Sequence, residues 1–354
     1  MSAALPSSIS VAGHAVGPEE VPFVIAEVSG NHNGSLERAL EIIDAIADAG
    51  AQSVKFQTYT ADTLTIDAPG PQFRIRSGHD LWGGRTLHDL YDEAHTPWEW
   101  HAPMFERARE RGLVPFSSPF DPTAIELLES LDCPVYKIAS AELVDLPLIR
   151  DVASTGKPMI ISSGMATIGE IDAALTAARD GGCTEMVLLA CTASYPADPA
   201  DARLLSIPTL QSAFGIPIGL SDHTAGIGVS VAAVALGAVA VEKHVTLRRA
   251  DGGVDSDFSL EPDEVAALVR ETAAARLAVR PPRFGPTEAE RDTLALRRSL
   301  YVVADVRAGD PVTRENVRSI RPAGGLPTDS LTTLLGRQFT RDVERGTPLT
   351  LDLV

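Results

Sequence analysis

Eight short apolar runs, each of strand length and most followed by a segment with helical periodicity, constrain this chain more than any other feature. They fall at residues 23–28, 53–58, 114–119, 135–139, 159–164, 186–192, 218–223 and 239–246. The helical segments between them include 35–50, 97–112, 122–132, 167–182, 226–238 and 261–279; several open with Ser, Pro or Thr and close at Gly. Such alternation builds a parallel sheet covered by helices. Eight units in about 260 residues match a closed (β/α)8 TIM barrel. An open doubly wound sheet is the rival, but no GxGxxG turn follows the first strand.

Residues 60–93 interrupt the second unit and are too long and irregular for a simple βα loop, so they are expected to shape a pocket at the barrel mouth. The proline-dense stretch 280–286 reads as a linker. Beyond it Ala308-Gly-Asp-Pro-Val-Thr313 recurs as Arg345-Gly-Thr-Pro-Leu-Thr350, which predicts two similar turn-and-strand units. A piece this small is expected to have little core of its own and to dock on another surface. The chain thus divides into a barrel domain, 1–282, with an uninterpreted N-terminal extension at 1–20, and a small C-terminal domain with its linker, 283–354.

A net charge of -18 argues against nucleic acid or an anionic membrane surface as partner. It also means that an anionic substrate needs locally concentrated positive charge, which makes lysines inside strands informative. Cys133, Cys183 and Cys191 show no CxxC spacing and fit reduced thiols. Residues 1–20 lack the basic-then-apolar pattern of a signal peptide, and no apolar run is long enough to span a bilayer, so a soluble cytoplasmic protein is expected.

The C-terminal ends of barrel strands are where such a fold carries its chemistry. Strand alternation turns Lys55 and Gln57 inward on the second strand, and Ser221 and His223 together on the seventh. An inward lysine is costly unless paired with an anion. Lys55 and Lys137 therefore either bracket a phosphate or carboxylate ligand, or serve as partners of buried carboxylates such as Glu27 or Glu142. His223 and His244 end adjacent strands on one face, so they are either hydrogen-bonding residues or a convergent pair of metal ligands. Two nitrogens with open positions suit Mn²⁺, Mg²⁺ or another exchangeable divalent ion. Cys191, at the end of the sixth strand, reads as core filler. Trp82, Trp98 and Trp100 either line a sugar pocket or pack the long loop.

Taken in order, several motifs resemble the sialic acid synthase family: IAEVSGNHNGS at 25–35, VKFQTYTADTLTID at 54–67, KIASAE at 137–142, SSGM at 162–165, GLSDHT at 219–224, EKHVTL at 242–247 and DGGVDSDFSLEP at 251–262. The C-terminal segment resembles that family's antifreeze-like (SAF, β-clip) domain. The resemblance implies condensation of phosphoenolpyruvate with an N-acetylated deoxy-hexose and water to a nine-carbon keto sugar acid and phosphate. It implies that Lys55, Lys137, Ser140 and Ser162 hold phosphoenolpyruvate, with Gln57, Tyr195 and Ser221 also at substrate-binding positions. His223 and His244 hold a divalent metal, Mn²⁺ before Mg²⁺ or Co²⁺. Glu27 and Asp255 contact the sugar or activate water, and Glu142 lies in the pocket. It further implies a domain-swapped homodimer in which Arg321 reaches the neighbour's sugar. One departure stands out: Ala193, in Cys191-Thr-Ala-Ser-Tyr195, replaces the asparagine of a sialic acid enzyme. The loop text at 80–84 and 95–100 instead resembles the branch that takes a diacetamido-trideoxy-L-altrose, which Trp-rich walls would suit.

Overall fold

The computed structural model describes residues 7–75 and 83–354, in two units, Met1–Arg280 and Pro281–Val354. The N-terminal extension opens the first unit with a hairpin of Ile9–Val11 (β1) and His14–Val16 (β2), turned at Ala12 and Gly13, both with positive φ. Ile9, Val11 and Val16 are buried in the barrel's own core, and the Ser10 amide donates to Glu185 just ahead of the sixth barrel strand. The hairpin therefore covers apolar side chains at the end of the barrel away from the strand C-termini.

Every apolar run becomes a strand: Phe23–Glu27 (β3), Ser53–Thr58 (β4), Val114–Pro119 (β5), Tyr136–Ile138 (β6), Met159–Ser162 (β7), Met186–Cys191 (β8), Ile218–Ser221 (β9) and Ala240–His244 (β10). They close as a parallel barrel in the order β10-β3-β4-β5-β6-β7-β8-β9. Nearly every residue in them is buried, because inner side chains fill the barrel and outer ones meet helices. Helix starts follow their caps. Ser35 accepts from the Arg38 amide ahead of Leu36–Asp48 (α1), Asp121 caps Pro122–Ser130, and Thr167 forms a capping box with Glu170. The long interruption contains two helices of its own, Ala61–Leu64 and Leu87–Ala94; its residues 76–82, including Trp82, lie outside the described residues. Helices Leu146–Ser154 and Ser206–Phe214 fill the two units where the sequence reading marked no helix. No helix among the described residues is long and apolar enough to cross a membrane.

The register places His244, Glu27 and Lys55 side by side across β10, β3 and β4, and pairs Glu242 with Ser221. Parallel pairing keeps side chains at equal height on the same face, so these groups meet at one level of the barrel mouth.

The second unit does have a core: Leu300, Val302, Val312, Val317, Phe339 and Leu349 are among its buried residues. Ser299–Val302 (β11) pairs antiparallel with Val317–Ile320 (β12). The internal repeat is a quasi-twofold clip. Val306 and Val343 exchange both backbone hydrogen bonds, at 3.0 and 2.9 Å, and the Ala308 amide donates to Asp342 while the Arg345 amide donates to Asp305. Gly309 and Gly346 occupy equivalent turns with positive φ, which is why glycine recurs there.

Candidate active site

The inner face of the barrel mouth holds a dense ionic cluster. Lys55 forms a close ion pair with Glu27, and its Nζ lies 3.8 Å from Glu242 Oε2. Lys137 Nζ lies 3.4 Å from Glu242 Oε1, which also accepts from Ser221 Oγ at 3.0 Å. Burial disfavours charge on all of them. Burial pulls Lys55 down, but the Glu242 and Glu27 carboxylates more than offset it and leave Lys55 above its ordinary value. Burial also dominates at Lys137, and with Lys55 nearby it leaves this lysine lowered despite Glu242. Burial raises Glu242, but the two lysines and the Ser221 hydroxyl outweigh it and keep the carboxylate well below its usual range.

Both lysines are thus partnered by buried carboxylates within the protein. The partner of Lys137 is Glu242, a residue the sequence reading did not single out, and not Glu142. Alternation was the available signal, since Glu242 and His244 share a face as Lys55 and Gln57 do. Glu142 lies among the cavity-lining residues, burial raises its pKa, and its Oε2 has no hydrogen-bond partner among the described residues.

A second cluster lies beside the first. His223 Nδ1 faces the Thr192 carbonyl at 2.9 Å. A carbonyl only accepts, so Nδ1 carries the proton and Nε2 keeps its lone pair. Burial and then the neighbouring His244 lower the His223 pKa to about 4, so the ring is neutral near pH 7. The His223 and His244 ring centroids are 5.4 Å apart. His244 Nδ1 is buried without a hydrogen-bond partner among the described residues and lies 3.5 Å from Asp255 Oδ2. Burial raises the Asp255 pKa, but His244 and the Ser29 hydroxyl outweigh it and leave the carboxylate lowered. Among the described residues no group of three or more His, Cys, Asp or Glu forms a ready metal cage. Two neutral or orphaned imidazoles beside a carboxylate do fit an ion that keeps open positions.

Around these clusters runs a cavity of about 460 Å³, with Gln57, Ser140, Tyr195, His244 and Asp255 among its lining residues. Ser140 Oγ accepts from the Gly164 amide at 3.1 Å and lies 3.5 Å from Cys191 Sγ, so Cys191 faces the site and is not core filler. A Cβ at Gly164 would come within 2.6 Å of Ser140 Oγ, which explains glycine at that position. Ser162 ends β7 with its buried hydroxyl unpartnered among the described residues. Tyr195 packs against His223 in a tilted arrangement, with centroids 4.3 Å apart. Among the described residues the aromatic walls are Tyr59, Tyr91, Phe120 and Tyr195; Trp98 and Trp100 are not part of them. Trp98 instead donates to the Tyr59 carbonyl, and Trp100 packs edge-on against His32. Twelve of the predicted residues therefore lie on the barrel, mostly at its mouth, while Arg321 is exposed on the second unit just after β12.

This chain belongs to the NeuB family, which matches residues 42–281, and a SAF domain matches residues 297–354. It is 40% identical to the pseudaminic acid synthase of Helicobacter pylori, over 94% of this chain and 97% of that protein. To the N,N'-diacetyllegionaminic acid synthase of Campylobacter jejuni it is 32% identical, over 90% of this chain and 96% of that protein. Among solved structures, the N-acetylneuraminic acid synthetase of Leptospira borgpetersenii superposes with a TM-score of 0.72 at 31% identity, covering 82% of this chain and 96% of that one.

Proposed function

We propose that this chain catalyses the pseudaminic acid synthase reaction: phosphoenolpyruvate, 2,4-diacetamido-2,4,6-trideoxy-L-altrose and water give pseudaminic acid and phosphate. The observation that carries the chemistry is the pair of buried lysines sharing Glu242 beside two imidazoles at one barrel mouth. The observation that favours this hexose is the higher identity to the Helicobacter pylori protein, 40% against 32% for the legionaminic acid enzyme.

In this reading Lys55 and Lys137 turn from Glu242 toward the phosphate and carboxylate of phosphoenolpyruvate, and Ser140 and Ser162 supply hydroxyl donors. His223 and His244 would hold a divalent ion, Mn²⁺ before Mg²⁺ or Co²⁺, that supplies Lewis acidity to the sugar aldehyde when bound. Gln57, Ser221 and Tyr195 orient the substrates along the inner wall. Attack by the enol carbon on the aldehyde leaves positive character at the carbon bearing phosphate. Glu27 or Asp255 takes a proton from the water that adds there, and phosphate leaves by C–O cleavage. Glu142, whose carboxyl burial pushes above its ordinary value, lies on the cavity wall where it can contact the sugar. The apolar walls around Tyr59, Leu90 and Phe120 suit a deoxy sugar with two acetamido methyls.

A domain-swapped homodimer in which Arg321 of a second copy reaches the sugar rests on the family resemblance. Mixing a Lys137→Ala chain with an Arg321→Ala chain tests it. Swapped dimers regain activity because one of their two sites is intact; inactive mixtures sink the swap. The reaction itself is tested by phosphate release with the diacetamido-L-altrose, with Mn²⁺ and then EDTA. Metal-dependent release and a nine-carbon keto acid in the mass spectrum are expected. Preferential turnover of N-acetylmannosamine would reassign the hexose and keep the chemistry.

A further inference from the structure

Ser29 follows β3 by two residues, is buried, and has φ of +48°. A non-glycine residue in the left-handed region is uncommon, and glycine would sit there without strain. The side chain gives serine a role there that glycine lacks. Its hydroxyl forms a short hydrogen bond to Asp255 Oδ2, joining loops 226 residues apart in the chain. The same Ser29 oxygen accepts from Gln57 Nε2 at 3.3 Å, and that amide nitrogen also donates to Glu27 Oε1 at 2.7 Å. Glu27, Gln57, Ser29 and Asp255 thus form one chain of hydrogen bonds across the cavity wall. Each link has a defined direction: the amide nitrogen can only donate, so the serine proton is left for Asp255.

We propose that Ser29 is a positioning residue for Asp255, joined through Gln57 to Glu27 so that the two carboxylates are held in a fixed mutual orientation. The link occupies Asp255 Oδ2 and takes no part in holding Oδ1. A carboxylate that must meet a water or a sugar hydroxyl gains from having its rotation fixed before substrate arrives. This inference rests on the synthase reading for its kinetic consequence, but its geometric consequence stands apart from it.

Two variants separate hydroxyl from backbone. Ser29→Gly removes the hydroxyl and relieves the positive φ; Ser29→Ala removes the hydroxyl and keeps the strain. Both are expected to lose at least fivefold in kcat with KM for phosphoenolpyruvate within threefold of wild type, while Ser29→Gly melts no lower than Ser29→Ala. A smaller kcat loss in Ser29→Gly, a change carried by KM, or activity that follows melting temperature across the two variants would overturn the role. A crystal structure of Ser29→Gly gives a readout independent of turnover: the Asp255 carboxylate is expected to leave its present rotamer, and an unmoved carboxylate overturns the proposal. Wild-type enzyme assayed alongside reports separately on the reaction, since absent phosphate release there speaks only against the synthase reading.

Discussion

Glu242 and Lys243 are neighbours in sequence on opposite faces of β10, and their surroundings differ in one informative respect. On the outer face Lys243 lies 3.3 Å from Asp222 and donates to the Thr224 carbonyl. Asp222 in turn accepts from the Thr224 amide, the Thr224 hydroxyl and Ser230 Oγ at 2.6–2.9 Å. That pair is saturated. On the inner face Glu242 is shared between two lysines, and Glu242 Oε2 and Ser162 Oγ have no hydrogen-bond partner among the described residues. A satisfied buried network specifies structure, whereas an under-satisfied one keeps the capacity to bind.

Mutations can break this contrast. The largest expected effect on turnover is Lys137→Ala, a loss of about 10³-fold in kcat/KM, or ~4 kcal/mol of transition-state stabilisation. Its melting temperature should stay within a few degrees of wild type, as differential scanning calorimetry would show. Asp222→Ala should behave inversely. It leaves Lys243 buried without its counter-ion, at a cost of about 3–5 kcal/mol, which corresponds to a fall of roughly 10 °C in a unit of this size. Turnover per folded molecule should suffer less than in Lys137→Ala. If Asp222→Ala instead keeps its stability, the saturated pair is not structural.

Glu242→Gln sharpens the comparison from the other side. The amide keeps an oxygen for Ser221 but removes the charge that competes with phosphate for the lysines. Phosphoenolpyruvate should bind about five- to tenfold tighter, ~1 kcal/mol, with slower phosphate release; thermal shifts with added phosphoenolpyruvate measure this directly. Weaker binding would mean that Glu242 organises the lysines for the ligand and does not compete with it. The smallest effect is expected from Ala193→Asn, which adds an amide on the cavity wall. A change of about threefold in the ratio of kcat/KM between the diacetamido sugar and N-acetylmannosamine, under 1 kcal/mol, is the expected outcome.

Much of the fold was legible because its signals are local. Apolar runs such as 114–119 and helix starts such as Pro122 and Thr167 report on their own neighbourhoods, and eight strand–helix units in series leave few architectures. The inward lysines and the histidine pair were legible from strand alternation, a local rule too. The partners were not. Pairing of Lys137 with Glu242 joins β6 to β10, and the Ser29–Asp255 bond joins β3's loop to the segment after β10. The wall of Tyr59, Tyr91 and Phe120, which Trp98 and Trp100 do not join, likewise depends on tertiary packing.

The sequence by itself determined the barrel, the turn glycines of the C-terminal repeat and the set of ionisable groups raised to the barrel mouth, because periodicity, capping and alternation act within a few residues of chain. Only the tertiary structure decided which carboxylate meets which lysine, which imidazole nitrogen faces the Thr192 carbonyl and which hydroxyl restrains Asp255. Those outcomes depend on register and barrel closure, which bring residues together at distances of a few ångströms that no spacing along the chain encodes.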